Sequence, residues 1–476
     1  MTKTATIREI ATRVLEGVRS EGILIIGFFF LLAVFFCQTS ISAEGQIVIY
    51  LELAGKPPPA LHLIIDSVTL GSGASGISLP MLDADLGSDY FSSGKVMLSE
   101  QYISEGFYDT LYFAFKNDFI SGAEKALIDS GPDTFAVPLN LVLKADAVEP
   151  LFIRLIIING SSKDSLVSLR AERYYPDIPP SGSLIFVANE ESNNLTVINR
   201  FTLEVIDILG AGTAPRGLAY SPESRQLFIA NSGDNTVSVV DVDSRDVLRL
   251  IQLYPGDHPS RLALSSDERY LYILNYGTDC LSVYDIASFR ELDRQILGEG
   301  VTALTVSAVS GKVYVSNSLS DNIIVYDPSN PSARESYAIS GSPGEIVLSE
   351  NGGSLFCGLG DQRSLTTLDL NMAGINVISG LCSSVTGVEY DRSLNLLYAG
   401  LDRCGEIAVI RPGLDLILDN VVLMAQPGLI TLDQNRNMLL AVLPKDNKLA
   451  VINTTRRGIS GYLNVGRKPY MALAQE

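Results

Sequence analysis

A unit of about 42 residues recurs along the C-terminal three-fifths of the chain. One large side chain marks each unit, in steps of 42 residues with a single step of 44: Phe186, Phe228, Tyr272, Tyr314, Phe356, Tyr398 and Leu440. A second position keeps the same pace: Val197, Val239, Val283, Val325, Thr367, Val409 and Val451. Each unit contains four short apolar runs separated by turn residues, a pattern typical of strands. The repeat therefore predicts a seven-bladed β-propeller over residues 183–476.

The order of strands within the repeat predicts how the ring closes. The first unit opens at Leu184 with what is a second strand in the other units, and the chain ends with an innermost strand around Tyr470. The C-terminal strand is therefore predicted to complete the first blade. Such closure leaves no unpaired strand edge where the two ends of the ring meet.

Polar residues recur where the strands end. Asn closes the second strand of four repeats, at Asn189, Asn231, Asn275 and Asn317. Asp closes the third strand of four repeats, at Asp241, Asp285, Asp327 and Asp369. Asn and Asp side chains bond to nearby backbone amides in tight turns. These positions are predicted to be structural.

Two segments of the second repeat resemble a known family. They are Phe228-Ile-Ala-Asn-Ser-Gly-Asp-Asn-Thr-Val-Ser-Val-Val-Asp241 and Ala214-Pro-Arg-Gly-Leu-Ala-Tyr-Ser-Pro-Glu223. Both resemble the YVTN-type propeller repeat, and the resemblance extends over residues 183–476. In the later repeats leucine replaces the Asn, at Leu359, Leu401 and Leu443. The resemblance implies an exported or cell-surface protein, usually without a demonstrated reaction, although related propellers include lactonases and a streptogramin lyase.

Residues 44–175 are predicted to form a separate β-sandwich. About seven apolar runs alternate there with Gly, Asn, Ser and Pro, and the run Tyr108–Phe115 places Leu111, Phe113 and Phe115 on one face. The Pro-rich segment 176–182 is predicted to be a semi-rigid linker to the propeller.

Three motifs of this region carry a second resemblance. They are the opening strand Ile49-Tyr-Leu-Glu-Leu53, the strand Ile65-Asp-Ser-Val-Thr-Leu70, and Ser104-Glu-Gly-Phe-Tyr-Asp-Thr-Leu111. They resemble the exported bacterial domain of unknown function numbered 4382, a prealbumin-like sandwich. That resemblance implies no catalytic chemistry.

Residues 1–43 predict a signal peptide. A mildly basic leader precedes an apolar run from Gly22 to Phe36, which is short for a membrane span and typical of a signal-peptide core. Ala43 supplies the small residue at the cut, so the mature chain is predicted to begin at Glu44. Retention as an N-terminal anchor is the alternative, and it is the one predicted contact with a membrane. The protein is expected to be periplasmic, extracellular or on the cell surface.

Charge and cysteine usage exclude several functions. The net charge of −19 repels phosphate backbones, which argues against nucleic-acid binding. The chain has no Cys-x-x-Cys motif and only two histidines, His62 and His258. A Cys/His zinc site and a haem-attachment motif are therefore excluded.

The four cysteines of the propeller have different predicted states. Cys382 and Cys404 fall on loops at the same face of one repeat, so we expect a disulfide between them, as export would permit. Cys357 takes the place of Val or Ile in other repeats and is predicted to be buried. Cys280 takes a place that is polar elsewhere and is predicted to be an exposed free thiol.

An acidic loop offers a possible cation site. Asp83, Asp85 and Asp89 surround Gly87, and carboxylate oxygens are the ligands that Ca²⁺ prefers. The loop lacks the Glu that ends an EF-hand loop, since Gly94 stands at that position. Calcium bound by these three carboxylates is one hypothesis, and a solvated acidic loop is the other.

Three basic residues fall on the predicted loop-rich face near the axis of the ring. They are Arg216, His258 and Arg261. Propellers commonly bind ligands at such a mouth, and a pair of arginines suits a carboxylate or phosphate group. The alternative is that all three are solvated loop residues.

These observations predict an exported, non-catalytic binding or scaffold protein. Its partner would be a protein or a glycan at the cell envelope, recognised by the propeller, and no cofactor is expected apart from the possible calcium. The alternative is a lactonase-like hydrolase or a lyase, with a carboxylate or metal site at the mouth of the propeller. The sequence contains no nucleophile elbow and no repeated His/Glu arrangement to favour the enzyme.

Overall fold

The computed structural model describes residues 44–54, 62–72, 75–82, 85–87, 95–115, 120–121, 124–125, 134–159, 167–177, 179, 183–333, 335–423 and 425–475. The only helix in these ranges is a 3-10 turn at Gln434–Arg436. None of the described helical residues forms a span long and apolar enough to cross a membrane. The predicted signal peptide, residues 1–43, lies outside the described residues. The predicted all-β fold with a seven-bladed propeller is confirmed.

The N-terminal strands form two sheets around one core. The first sheet has the order Val167–Tyr174, Val148–Asn159, Glu44–Ala54 and Val96–Ser104. The second has the order Ser75–Leu79, His62–Ser72, Gly106–Phe115 and Thr134–Leu143, with Asp85–Gly87 also paired to His62–Ser72. A short hairpin pairs Ile120–Ser121 with Glu124–Lys125.

Alternation along the strands builds the core between these sheets. In Gly106–Phe115 the predicted core face is confirmed, because Leu111, Phe113 and Phe115 are all buried. They share one hydrophobic cluster with Ile49 of the first sheet. The period of two residues thus places one face of each sheet away from water.

Seven four-stranded sheets form the blades of the propeller, and each blade is described from its innermost strand outward. Blade 1 is Pro469–Ala474, Leu184–Asn189, Asn194–Asn199 and Val205–Gly210. Blade 2 is Pro215–Ser221, Gln226–Asn231, Thr236–Asp241 and Val247–Gln252. Blade 3 is Pro259–Leu264, Tyr270–Asn275, Cys280–Asp285 and Arg290–Ile296. Blade 4 is Val301–Val306, Val313–Asn317, Asn322–Tyr326 and Glu335–Ala338.

The remaining blades follow the same order. Blade 5 is Pro343–Leu348, Ser354–Leu359, Ser364–Asp369 and Ile375–Ser379. Blade 6 is Val385–Asp391, Leu396–Leu401, Glu406–Arg411 and Leu416–Val422. Blade 7 is Ile430–Asp433, Met438–Leu443, Lys448–Asn453 and Gly458–Asn464. The first strands of neighbouring blades contact each other, which places them around the axis.

The ring closes as the strand order predicted. Pro469–Ala474 pairs antiparallel with Leu184–Asn189, so blade 1 contains both the earliest and the last strand of the propeller. Next to this pair, the backbone N–H of Gln475 donates to the Leu184 carbonyl at 2.9 Å, and its side-chain Oε1 accepts from the Leu184 N–H at 3.1 Å. A second contact joins blade 1 to blade 7, where Arg200 forms a buried ion pair with Asp433.

The repeated large side chains explain the period of the sequence. Phe186, Phe228 and Tyr272 are completely or almost completely buried. Each lies in a hydrophobic cluster that joins its own blade to the next, as Phe228 does with Ile273 of blade 3. Burying a large apolar side chain contributes on the order of 2 kcal/mol, so each blade gains stability from its own copy.

The repeated Asp and Asn residues act differently from one another. Asp241 accepts hydrogen bonds from the backbone amides of Asp243 and Ser244, as predicted for a turn residue. Asn231, in contrast, is buried and donates across its hairpin to the hydroxyls of Thr236 and Ser238. The Asn side chains therefore pair neighbouring strands. The predicted bonds to backbone amides of a tight turn are not made by Asn189, Asn275 and Asn317, whose Oδ1 atoms are buried and have no hydrogen-bond partner among the described residues.

Blade 1 also packs against the first N-terminal sheet. Tyr50 and Phe152 of that sheet share a hydrophobic cluster with Val205 and Ile208 of the outer strand of blade 1. Lys95 Nζ donates to the Val205 carbonyl at 2.8 Å and lies 5.2 Å from the centre of the Phe152 ring. The first N-terminal sheet thus packs against the outer strand of blade 1.

The cysteines follow the sequence prediction with one exception. Cys382 and Cys404 are joined in a disulfide, with their Cα atoms 6.2 Å apart. Cys357 is buried, as predicted. The prediction of an exposed thiol at Cys280 is wrong, because its side chain is buried and its Sγ–H donates to the Thr278 carbonyl at 3.0 Å.

Iodoacetamide at mildly alkaline pH is expected to label neither Cys280 nor Cys357 in the native protein. Both Cys280 and Cys357 are buried, and burial raises the pKa of the Cys357 thiol to about 12. Denaturation without reductant should expose both thiols and leave Cys382 and Cys404 unlabelled. Peptide mass mapping measures all four sites. Native labelling at Cys280, or labelling of Cys382 before reduction, would contradict this expectation.

Candidate functional site

The innermost strands are distorted where they begin, at the loop-rich face of the propeller. Six of the seven show a register shift at this end, for example between Pro215 and Leu218 and between Pro259 and Arg261. A β-bulge places an extra residue in one strand and re-aims its side chain. The first residues of these strands therefore present side chains to the central channel.

The mouth of the channel is a cavity of about 550 Å³. Its charged and hydroxyl-bearing lining residues are Glu190, Arg216, Arg261, Thr302, Ser318, Ser342, Glu345, Thr386, Lys468 and Tyr470. Apolar lining residues are Val385, Leu429, Pro444 and Pro469. The volume lies within the usual range for a small-molecule site, and we call this cavity the mouth.

Two cations converge on one carboxylate at one side of the mouth. The guanidinium of Arg216 donates to Glu190 Oε1 through Nη2 at 2.7 Å and through Nε at 3.2 Å. Lys468 Nζ lies 3.2 Å from the other oxygen of Glu190 and 3.9 Å from exposed Glu191. The side chains of Arg216 and Lys468 are partly exposed, so a ligand in the mouth can reach both.

Arg261 lies deeper and is held by two fixed partners. It donates to Glu345 Oε1 at 2.6 Å and to the phenol oxygen of Tyr470. Burial lowers the pKa of Arg261, but the Glu345 carboxylate and the Tyr470 phenol outweigh burial, so the pKa lies above its usual value. The guanidinium carbons of Arg216 and Arg261 lie 5.2 and 4.9 Å from the centre of the Tyr470 ring.

The Nε atom of Arg261 takes part in neither of these contacts. This atom is buried and has no hydrogen-bond partner among the described residues. Buried donors are nearly always paired in folded proteins, and a group that a ligand would pair is one explanation for an exception. The unpaired donor therefore marks this part of the mouth as a candidate site.

The structure brings together two of the three predicted basic residues. Arg216 and Arg261 both line the mouth, whereas His258 does not. The ring of His258 turns away, with Nδ1 2.8 Å from the carbonyl oxygen of Ser232 in blade 2. His258 lies in the loop before the strand Pro259–Leu264, whereas Arg261 lies within that strand at its register shift.

Sequence reasoning missed eight of the ten charged or hydroxyl-bearing residues of the mouth, and four of these eight belong to innermost strands. Thr302, Glu345, Thr386 and Tyr470 lie one or two residues into their innermost strands, as Arg216 and Arg261 do in theirs. Superimposing the innermost strands of the repeats would have found them. Their chemistry differs from blade to blade, so no single motif reveals the set.

The predicted calcium loop is not tested by the structure. Asp83 and Asp89 lie outside the described residues, and Asp85 begins the short strand Asp85–Gly87. Within the described ranges no group of three His, Cys, Asp or Glu side chains is placed to hold a metal ion. Calcium binding by the acidic loop stays a prediction.

Comparison with protein families gives a partial match. The family model "Lactonase, 7-bladed beta-propeller" matches residues 202–298, from the turn before the outer strand of blade 1 to the end of blade 3. No curated protein matches the chain. The match supports a propeller protein with a lactonase-like segment, and the two resemblances drawn from the sequence stay predictions.

Solved structures share the architecture at low sequence identity. A protein from Lactobacillus plantarum has a TM-score of 0.54 at 14% identity, covering 61% of this chain and 98% of that one. Hydrazine synthase from Kuenenia stuttgartiensis has a TM-score of 0.53 at 16% identity, covering 59% and 97%. A dihydro-heme d1 dehydrogenase NirN structure has a TM-score of 0.48 at 16% identity, and this chain spans 65% of its length. At such identities the first two show a common fold alone.

Proposed function

We propose that this protein is an exported binding protein whose propeller mouth holds a carboxylate group of an acidic glycan or protein at the cell envelope. The observation that carries the proposal is the convergence of Arg216 and Lys468 on Glu190, beside Arg261 and its unpaired Nε. A guanidinium presents a planar fork that matches a carboxylate. An incoming carboxylate can share these donors with Glu190.

The electrostatic setting supports the same ligand class. The chain carries a net charge of −19, so most of its surface repels an anion. The mouth is lined by three cations, Arg216, Arg261 and Lys468, against two carboxylates, Glu190 and Glu345. Exposed Glu191 also lies 3.9 Å from Lys468 Nζ, so these charges nearly balance and the mouth repels an acidic ligand less than the rest of the surface does.

A second candidate is a lactonase-like hydrolase. The family-model match over residues 202–298 favours it, since that segment supplies Arg216 and Arg261. Glu345 would then be the candidate general base, because its carboxylate lies in the mouth beside the Arg261 cation. A Glu345→Gln variant separates the two functions.

Titration calorimetry with three probes tests the proposal. Oligogalacturonate or a polyglutamate peptide is expected to bind, and a neutral maltooligosaccharide is not. Arg216→Gln should weaken binding of the acidic probe by about tenfold or more, since a hydrogen bond to a charged group is lost. The matched control is Arg225→Gln, which breaks an ion pair with Asp243 in the same blade but at the opposite end of the strands.

The outcomes separate binding from hydrolysis. No affinity for either acidic probe, or equal loss of affinity in Arg216→Gln and Arg225→Gln, would rule out the proposed mouth site. Hydrolysis of simple sugar lactones by the wild type that Glu345→Gln abolishes would establish the hydrolase instead.

A further inference from the structure

A buried polar network fills the seam between the first N-terminal sheet and blade 1. Gln46 and Glu100 of the sheet and Ser192 and Asn194 of blade 1 are almost completely buried. Gln46 Nε2 donates to Glu100 Oε1 at 2.7 Å and to the Ser192 carbonyl at 2.9 Å. Asn194 Nδ2 donates to Gln46 Oε1 at 3.0 Å. Buried polar groups are tolerated only when paired, so this network fixes the two surfaces in one register.

The network continues to a charged group at its edge. Arg467 Nε lies 3.3 Å from Glu100 Oε2, and the backbone N–H of Arg467 donates to Ser192 Oγ at 2.6 Å. The Glu100 side chain is 1% exposed and that of Arg467 is 42% exposed. The carboxylate is therefore anchored in the seam, and the arginine is the group that it positions.

Two backbone hydrogen bonds join residues 467–468 to residues 190–191 beside the mouth. The N–H of Glu191 donates to the Arg467 carbonyl at 3.2 Å, and the N–H of Glu190 donates to the Lys468 carbonyl at 3.1 Å. Glu190, Lys468 and the nearby Tyr470 line the mouth. The two segments that supply these residues are thus held together by the seam.

We infer that the N-terminal sheets complete the binding site, with Glu100 as a positioning residue for the mouth. Glu100 does not line the mouth. It fixes Arg467 and, through the paired segments 190–191 and 467–468, sets where Glu190 and Lys468 present their charges. The expected effect on ligand binding rests on the proposed function. The expected effect on hydrogen exchange rests only on the contacts in the seam.

The experiment compares Glu100→Gln with a matched control in the full chain. The control is Glu52→Gln, which removes the carboxylate of another ion pair of the same length, Glu52 with Arg154, within the first N-terminal sheet. Hydrogen exchange is followed for residues 466–470 and, as an internal reference, for residues 342–345 on the far side of the mouth. Affinity for oligogalacturonate is measured on the same preparations.

Glu100→Gln is expected to speed exchange in residues 466–470, to leave residues 342–345 unchanged, and to weaken oligogalacturonate binding about tenfold. Glu52→Gln should change none of the three. Arg467→Gln changes the partly exposed partner of Glu100 and should produce the same faster exchange and weaker binding. This variant replaces Glu100→Gln in the experiment if Glu100→Gln fails to fold.

Unchanged exchange in residues 466–470 overturns the inference, whatever the ligand. Faster exchange with unchanged affinity for a probe that the wild type binds also overturns it. If the wild type binds no acidic probe, the proposed function fails, and the exchange of residues 466–470 alone then decides whether Glu100 positions the mouth.

Discussion

A chain that ends at Lys468 is expected to lose the cooperative folding of its propeller. Such a chain lacks Pro469–Ala474, so Leu184–Asn189 has an open edge and blade 1 has no innermost strand. The hydrophobic cluster that contains Val187 and Ala472 opens to water at the same time. The loss is comparable with the whole stability of a domain, about 5–15 kcal/mol.

Calorimetric melting of the truncated and full chains measures this effect. The full chain should show a cooperative transition of the propeller, which the truncated chain should lack. The control is a chain that ends at Gln475, because it loses a terminal residue and keeps the pair of Pro469–Ala474 with Leu184–Asn189. That control should melt as the full chain does. A truncated chain with a native transition would show that closure by this strand is dispensable.

Replacing Arg200 by Ala is expected to lower the free energy of unfolding by about 3–5 kcal/mol, because it leaves a buried carboxylate without its cation. The side chains of Arg200 and Asp433 are 7% and 0% exposed, and Arg200 Nε donates to Asp433 Oδ2 at 2.6 Å. Asp433 Oδ1 also accepts from the backbone N–H of Arg436 in the 3-10 turn. The substitution therefore weakens the contact between blade 1 and blade 7.

Urea denaturation of three variants checks this expectation. Arg225→Ala breaks a surface pair with Asp243 and should cost less than about 1 kcal/mol. The double variant Arg200→Met with Asp433→Leu removes both charges and should recover much of the loss. If Arg200→Ala costs no more than Arg225→Ala, the buried pair does not stabilise the ring.

The period of the sequence was sufficient to predict the ring and its closure. Each repeat buries its own large apolar side chain against the next blade, as Phe228 does, so the spacing of these residues predicts the pattern of burial. The N-terminal strands could be predicted for a related reason, since Leu111, Phe113 and Phe115 are alternate residues of one strand that face the same core.

Only some residues of the mouth could be predicted from the sequence, because the contacts of the mouth join distant parts of the chain. Arg261 of blade 3 meets Glu345 of blade 5 and Tyr470 of blade 1, which lie 84 and 209 residues away. The register shift between Pro259 and Arg261 is seen in the pairing of the strands and not in the sequence. The seam contact of Glu100 with Arg467, 367 residues apart, is invisible for the same reason.

The wrong prediction for Cys280 has a local cause. Other repeats have polar residues at its position, such as Asn194 and Thr236, and polarity suggested exposure. In the structure these two residues are buried and accept hydrogen bonds from Asn189 and Asn231 at the end of the neighbouring strand. The position is polar because it faces a buried amide, so a cysteine there is buried as well.

The position of Pro469–Ala474 within blade 1 has a consequence for biosynthesis. The ribosome makes this strand after every other described strand of the propeller. Its partner Leu184–Asn189 is therefore made long before the strand with which it pairs. Pairing so far apart along the chain is slow to form and leaves apolar edges exposed meanwhile. Until Pro469–Ala474 is made, the edge of Leu184–Asn189 has no partner strand. Closure of the ring therefore depends on the described strand that is translated last.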